Sequence, residues 1–202
     1  MATNRLTMTN EQRACVQCLG CYNDGVLAFK WMNADEIEEA YSKGYDGLTK
    51  AVCKAEPTMK IGDREFPVIH EEWHMADYDG AISSMDLGEN PSIPKLLAMM
   101  NHIDHEEELY TAAYKVYHDS YSSYEHSVEE MTEKVEDIAE QLVCVGEQSL
   151  TDYFMEYAYE VGDMKNGDRM ESYIDWEHYA QDMMYSYQEI TVGDNKYLMC
   201  HH

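Results

Sequence analysis

The chain has 202 residues with 14 Lys+Arg against 40 Asp+Glu, a net charge of −26. That balance excludes unassisted nucleic-acid binding, because phosphate contacts require clustered cations. With 45% hydrophobic residues, 17 Tyr and 15 Met, the chain can build packed cores and is not a disordered acidic tail.

No run of 18 apolar residues is present, so no membrane-spanning helix is expected. Met1 to Asn10 is polar and lacks a signal-peptide apolar stretch, which predicts a cytoplasmic protein. The acid is unevenly spread. Residues 1–67 hold 10 Asp/Glu and 8 Lys/Arg, whereas 68–135 and 136–202 each hold 15 against 3.

Cys15–Leu19 and Val26–Met32 read as strands joined by the turn Tyr22-Asn23-Asp24-Gly25, since Asp-Gly supplies the positive φ of a tight hairpin. Asn33 with Glu36 three residues on forms a capping box for a helix with Ile37, Ala40 and Tyr41 inward, ended by Gly44. Lys50–Arg64, with Pro57 and Gly62, reads as an irregular excursion, Glu65–Trp73 as a strand and Gly80–Pro91 as a linker.

Ser92 is placed to cap Ile93–Asn101, with Pro94 in the first turn, and Asp104 to cap a following helix facing inward with Leu109, Ala112, Ala113 and Val116. Along that helix Tyr110, Tyr114, Tyr117, Tyr121 and Tyr124 recur at helical spacing, a packed face or an aromatic interaction surface. Ser127 and Glu130 form another capping box, followed by the apolar stripe Met131, Val135, Ile138 and Leu142. Ser149 and Asp152 start a helix with Leu150, Phe154, Tyr157 and Val161 inward, stopped by Gly162. Ser172 with Asp175 opens a last helix to about Met184, and Tyr187–Val192, Gly193-Asp194-Asn195 and Lys196–Cys200 read as a closing hairpin.

The fold class predicted is α+β in three small domains. Residues 1–90 form a sheet-plus-helix domain, near-neutral in its first two thirds, 91–135 a central acidic helical domain, and 136–202 an acidic domain of helices and hairpin.

Two acidic stripes follow from helical spacing: Glu129, Glu133, Glu136 and Glu140, then Asp152, Glu156 and Glu160. Carboxylates four apart rise about 6 Å, similar to the phosphate spacing along one DNA strand. Such pairs lower helix stability by about 0.2–0.5 kcal/mol each, and Glu140 and Glu160 also sit near helix C-termini, where the dipole disfavours anions. The net −24 of residues 68–202 matches about 41 Å of duplex at one charge per ~1.7 Å.

His70-Glu71-Glu72-Trp73-His74 matches the H-E-x-x-H pattern of zinc hydrolases, with His102, His105 and Glu106 as third-ligand candidates. That chemistry needs both histidines on one helix face; on a strand, positions 70 and 74 stand about 13 Å apart. Cys15-x2-Cys18-x2-Cys21 opens like an iron–sulfur run, but Gly25 stands where the fourth cysteine would fall. With Cys53, Cys144 and Cys200 scattered, six reduced thiols are expected, with no metal, cofactor or catalytic residue.

Leu19-Gly20-Cys21-Tyr22-Asn23-Asp24-Gly25-Val26-Leu27-Ala28-Phe29-Lys30-Trp31 resembles the opening L-x-x-Y-N-x-G-x-L-x-G-x-W of the ArdA antirestriction proteins, with Phe29 where that family usually has Gly. Tyr173-Ile174-Asp175-Trp176-Glu177-His178-Tyr179-Ala180-Gln181-Asp182 resembles the family's Y-I-D-[YW]-x-x-[YF]-[AG]-x-D segment, and Ile69-His70-Glu71 the strand ending its first domain, a non-metal setting. Lys50–Arg64 and Asp163–Arg169 look like insertions.

The resemblance implies an elongated, curved homodimer of three-domain subunits. It implies a DNA mimic, carried by a phage or mobile element, that fills the DNA groove of Type I restriction–modification enzymes. Restriction is blocked, with block of modification left open, and no enzyme activity is involved. The phosphate mimics facing the specificity and methyltransferase subunits would be Glu106, Glu107, Glu129, Glu133, Glu136, Glu140, Asp152, Glu156, Glu160, Asp175, Glu177 and Asp182. The rival readings are a zinc hydrolase at His70, Glu71 and His74, and an acidic scaffold or halophile-adapted binding protein.

Overall fold

The structure is a computed structural model and describes residues 11–44, 46–55, 58–67, 70–121, 125–165, 167 and 169–200. Predicted features at Met1–Asn10, Pro57, Val68, Ile69, Tyr124 and Asp168 lie outside the described residues. The fold is α+β, and the chain divides into two compact units, 1–107 and 108–202. Among the described residues no helix is long and apolar enough to cross a membrane.

The first unit is built around β1 (Arg13–Cys18), the central strand of an antiparallel sheet ordered β2-β1-β5, with β2 at Phe29–Met32 and β5 at Trp73–Asp79. Helices on one face and neighbours on both edges bury β1 almost throughout; Ala14, Val16 and Cys18 have no exposed surface. Helix α2 (Ala34–Ser42) packs on α3 (Gly47–Val52) and α4 (Ile93–His105), and α3 on β1. Ile37, Leu48, Leu96, Met100 and Ile103 fill the interior.

Several expectations are corrected here. The connection from β1 to β2 is no tight hairpin, because Cys18 caps a short helix, α1 (Leu19–Asn23). Gly25, at φ 76°, takes the left-handed position just after that helix, a role that needs positive φ as much as a hairpin turn does. Tyr41 is exposed rather than inward. The supposed excursion 50–64 contains the end of α3 and β3 (Thr58–Ile61), which pairs with β4 (Arg64–Pro67) in a separate two-stranded sheet.

The single strand expected over Glu65–Trp73 is two strands in different sheets, and His70 lies between them. The stretch read as a linker is packed: Ile82, in a 3-10 turn at Ala81–Ser84, is fully buried and its N–H donates to Gln12 Oε1 at 3.1 Å. Asp104 does not cap the next helix; its Oδ1 accepts the Gln12 N–H at 3.1 Å, and burial pushes its carboxyl up from the usual range.

In the second unit α5 (Glu107–Tyr121) buries Ala112, Ala113 and Val116 as predicted, while Leu109 is only half-buried and Tyr114 of the tyrosine series is fully packed. Tyr117 and Tyr121 stack at 5.7 Å, and Tyr117 Oη lies 2.8 Å from His126 Nδ1, so this part of the tyrosine series packs locally. Helices α6 (Val128–Gln141), α7 (Leu150–Glu160) and α8 (Trp176–Met184) accompany a sheet ordered β6-β8-β7, with β6 at Val143–Gly146, β7 at Tyr187–Val192 and β8 at Asn195–Cys200. The closing hairpin is present, with Gly193 at φ 58° in its turn.

Val145, Phe154, Ala180 and Leu198 form the core, ringed by Tyr153, Tyr157, Tyr179 and Tyr187. Val161 is half exposed, because α7 ends at Glu160 and Ala158 takes the inward position. The cap of α8 is Asp175 rather than Ser172, so the helix begins three residues later than predicted.

Candidate partner-binding surface

The acidic stripes rest on helices whose ends are locally determined. Ser127 Oγ accepts the Glu130 N–H at 3.2 Å while Glu130 Oε2 accepts the Ser127 N–H at 2.8 Å, closing the capping box that starts α6. Met131, Val135, Ile138 and Ala139 are buried, and Glu129, Glu133, Glu136 and Glu140 are all exposed on the remaining surface of the same helix. On α7, Phe154 and Ala158 turn inward and Asp152, Glu156 and Glu160 outward. Glu177 and Asp182 are exposed on α8.

Some of the predicted residues have structural ties as well, Asp182 among them, whose Oδ2 lies 3.8 Å from His178 Nε2. The Asp152 carboxylate accepts the Ser149 hydroxyl at 2.6 Å, Asp175 Oδ1 accepts the His178 N–H at 3.1 Å as a helix cap, and Glu107 is only partly exposed. Glu106 is exposed just after α4.

Residues 108–202 hold 21 Asp/Glu and five Lys/Arg. Three of those lysines face groups other than the stripes: Lys115 Nζ donates to Thr191 O at 3.1 Å, Lys196 Nζ to Gln148 O at 2.9 Å, and Lys134 Nζ lies 4.8 Å from the centroid of the Tyr121 ring. In the first unit, by contrast, Arg13, Lys30, Lys43 and Lys50 pair with Asp79, Glu36, Glu39 and Asp46. Burial pushes the phenols of Tyr153, Tyr179 and Tyr187 up, further from ionisation at neutral pH.

Two features escaped sequence reasoning. Tyr173 and Tyr185, 81% and 86% exposed, flank α8 and add aromatic area beside its acids. The other is a convergence of side chains in the first unit: Cys18, Cys21, Cys53 and His70 come together, so Cys53 is not a scattered thiol. His74 is not with them; its Nε2 lies 2.9 Å from Gln17 Oε1, the residue opposite it in the β1–β5 register. With His70 between strands and His74 on β5, the helical H-E-x-x-H constellation of a zinc hydrolase is not formed.

A family model described as antirestriction protein (ArdA) matches residues 14–197, most of the chain. The chain belongs to the ArdA antirestriction family. No curated protein matches this ArdA-family chain significantly. The match extends from β1 to β8 and covers both compact units, including every helix that carries an acidic stripe.

Proposed function

We propose that this antirestriction protein acts as a DNA mimic that occupies the DNA groove of Type I restriction–modification enzymes and blocks restriction. The carrying observation is the set of exposed carboxylates on α6, α7 and α8, with three of the four lysines of the same unit directed at carbonyls and a ring. Glu106, Glu107, Glu129, Glu133, Glu136, Glu140, Asp152, Glu156, Glu160, Asp175, Glu177 and Asp182 stand in for phosphates against Lys/Arg of the specificity and methyltransferase subunits. The protein works as a homodimer in the host cytoplasm, without catalysis, and the division at 1–90, 91–135 and 136–202 belongs to the same reading.

Like charges held at intervals of ~6 Å along a helix lower its stability. A partner that compensates this repulsion with its own cations accounts for keeping it. The decisive experiment titrates the protein into a Type I restriction–methyltransferase complex holding labelled duplex. Displacement that saturates with the added protein is expected; duplex retained at large molar excess overturns the reading.

A further inference from the structure

The Cys18, Cys21, Cys53 and His70 donors lie at mutual distances that hydrogen bonding does not explain. His70 Nδ1 is 3.4 Å from Cys18 Sγ, 3.4 Å from Cys21 Sγ and 3.5 Å from Cys53 Sγ, and Cys21 Sγ is 3.6 Å from Cys53 Sγ. All four donor atoms fall within 4.8 Å of one another. One imidazole nitrogen has a single proton or a single lone pair, so it can serve one thiol and not three. No disulfide accounts for the arrangement either, because a bond of ~2.05 Å is far shorter than the Cys21–Cys53 separation and would leave a third thiol over.

A tetrahedral zinc ion does account for it. Zn–S bonds of ~2.3 Å and a Zn–N bond of ~2.0–2.1 Å place sulfurs ~3.8 Å apart and the nitrogen ~3.5 Å from each sulfur. The geometry points to a structural Cys3His zinc site in the first unit, Cys18-x2-Cys21-x31-Cys53-x16-His70.

The surroundings fit such a site. His70 Nε2 lies 3.4 Å from Asp24 Oδ2, the carboxylate–histidine pairing that leaves Nδ1 free for the metal. Backbone N–H groups of Cys21 and Ala55 donate to Cys18 Sγ and Cys53 Sγ, both at 3.4 Å, as thiolates require. The imidazole reaches the sulfurs only because residue 20 has no side chain: a Cβ on Gly20 would stand 2.5 Å from His70 Cγ. The segment carrying His70 is pinned from both sides, by Leu19 N–H to Glu72 O at 3.1 Å and Thr49 Oγ1 to Glu71 O at 3.0 Å.

Cys18 and Cys21 are buried, the His70 side chain is 10% exposed, and all four positions of the tetrahedron are taken by protein. That closure assigns zinc a structural role rather than a hydrolytic one. Its ligands come from the β1–α1 junction, the end of α3 and the approach to β5, so the ion ties the base of the β3–β4 hairpin to the main sheet. On binding, each thiol gives its proton to solvent, and three thiolates with a neutral imidazole hold the ion at a net charge of −1.

The test measures metal in the full chain purified under reducing conditions, then reloads the chelated protein with zinc or with cobalt as a spectroscopic probe. One zinc per chain is expected, with tetrahedral ligand-field and thiolate charge-transfer bands in the cobalt form. Cys53→Ser should lose the ion, while Cys144→Ser and Cys200→Ser retain it. Asp24 is exposed and its replacement leaves the core intact, so Asp24→Asn, which should weaken zinc binding about 10- to 100-fold, serves if Cys53→Ser fails to fold. Protein that neither retains nor takes up zinc, an octahedral cobalt spectrum, a Cys21–Cys53 disulfide without metal, or iron as the resident ion each overturns the assignment.

Discussion

Gly47 opens α3 where that helix packs on α2, and a Cβ added there would overlap the Ala40 carbonyl oxygen. The obstruction is backbone, which cannot swing aside as a flexible side chain does. Gly47→Ala should therefore destabilise the first unit by about 1–3 kcal/mol in urea denaturation. An unchanged midpoint would mean that the two helices are not packed as described. Individual carboxylates behave differently. An exposed ionic contact contributes about 0.2–1 kcal/mol, so no single residue such as Glu156 is expected to control inhibition. Glu36 serves both as a capping-box acceptor and as a partner of Lys30 at 2.7 Å, and the Lys30 ammonium holds its carboxyl below the ordinary glutamate range.

At the scale of elements, the proposed mimicry would make α6 couple stability to function in opposite directions. Replacing Glu129, Glu133, Glu136 and Glu140 together with Gln removes six like-charge pairs at i,i+3 and i,i+4, those with Glu130 and Asp137 included, which should raise stability by about 1–3 kcal/mol. The same variant should lose most of its ability to displace DNA from a Type I enzyme, while any one of the four substitutions changes inhibition by about fivefold or less. A fourfold variant that inhibits normally would remove α6 from the contact surface.

This helix was legible in the sequence because its signals are local: Ser127 and Glu130 lie three residues apart, and its apolar stripe repeats within one element. The Cys18–His70 cluster was not, since its members are separated by 31 and 16 residues and nothing in their spacing says that β5 brings His70 back over α1. The β1–β2 connection was misread for a different reason. Asp24-Gly25 satisfies a helix C-terminus and a hairpin turn equally, and only the Cys18 cap distinguishes them.

For the whole molecule, the net charge of −26 sets two opposing responses to salt. The Debye length falls from about 30 Å at 0.01 M to about 10 Å at 0.1 M, so added salt screens self-repulsion in the folded state and should raise the melting temperature by about 2–4 °C for each 1 kcal/mol relieved. Binding to a cationic groove is weakened by the same screening. Thermal melts and DNA-displacement titrations over one series of NaCl concentrations should thus run in contrary directions; displacement that is indifferent to salt would point to an apolar contact instead.

Lys115, Lys134 and Lys196 are engaged with carbonyls and an aromatic ring, and five Lys/Arg stand against 21 Asp/Glu in this unit, so dissolved cations supply most of the charge that neutralises the carboxylates of α6, α7 and α8. On the proposed reading, a docking basic cleft expels those cations and sheds its own anions, so association gains entropy from ions set free on both partners. Cellular polyamines, small and multiply positive, become the natural competitors for these helices.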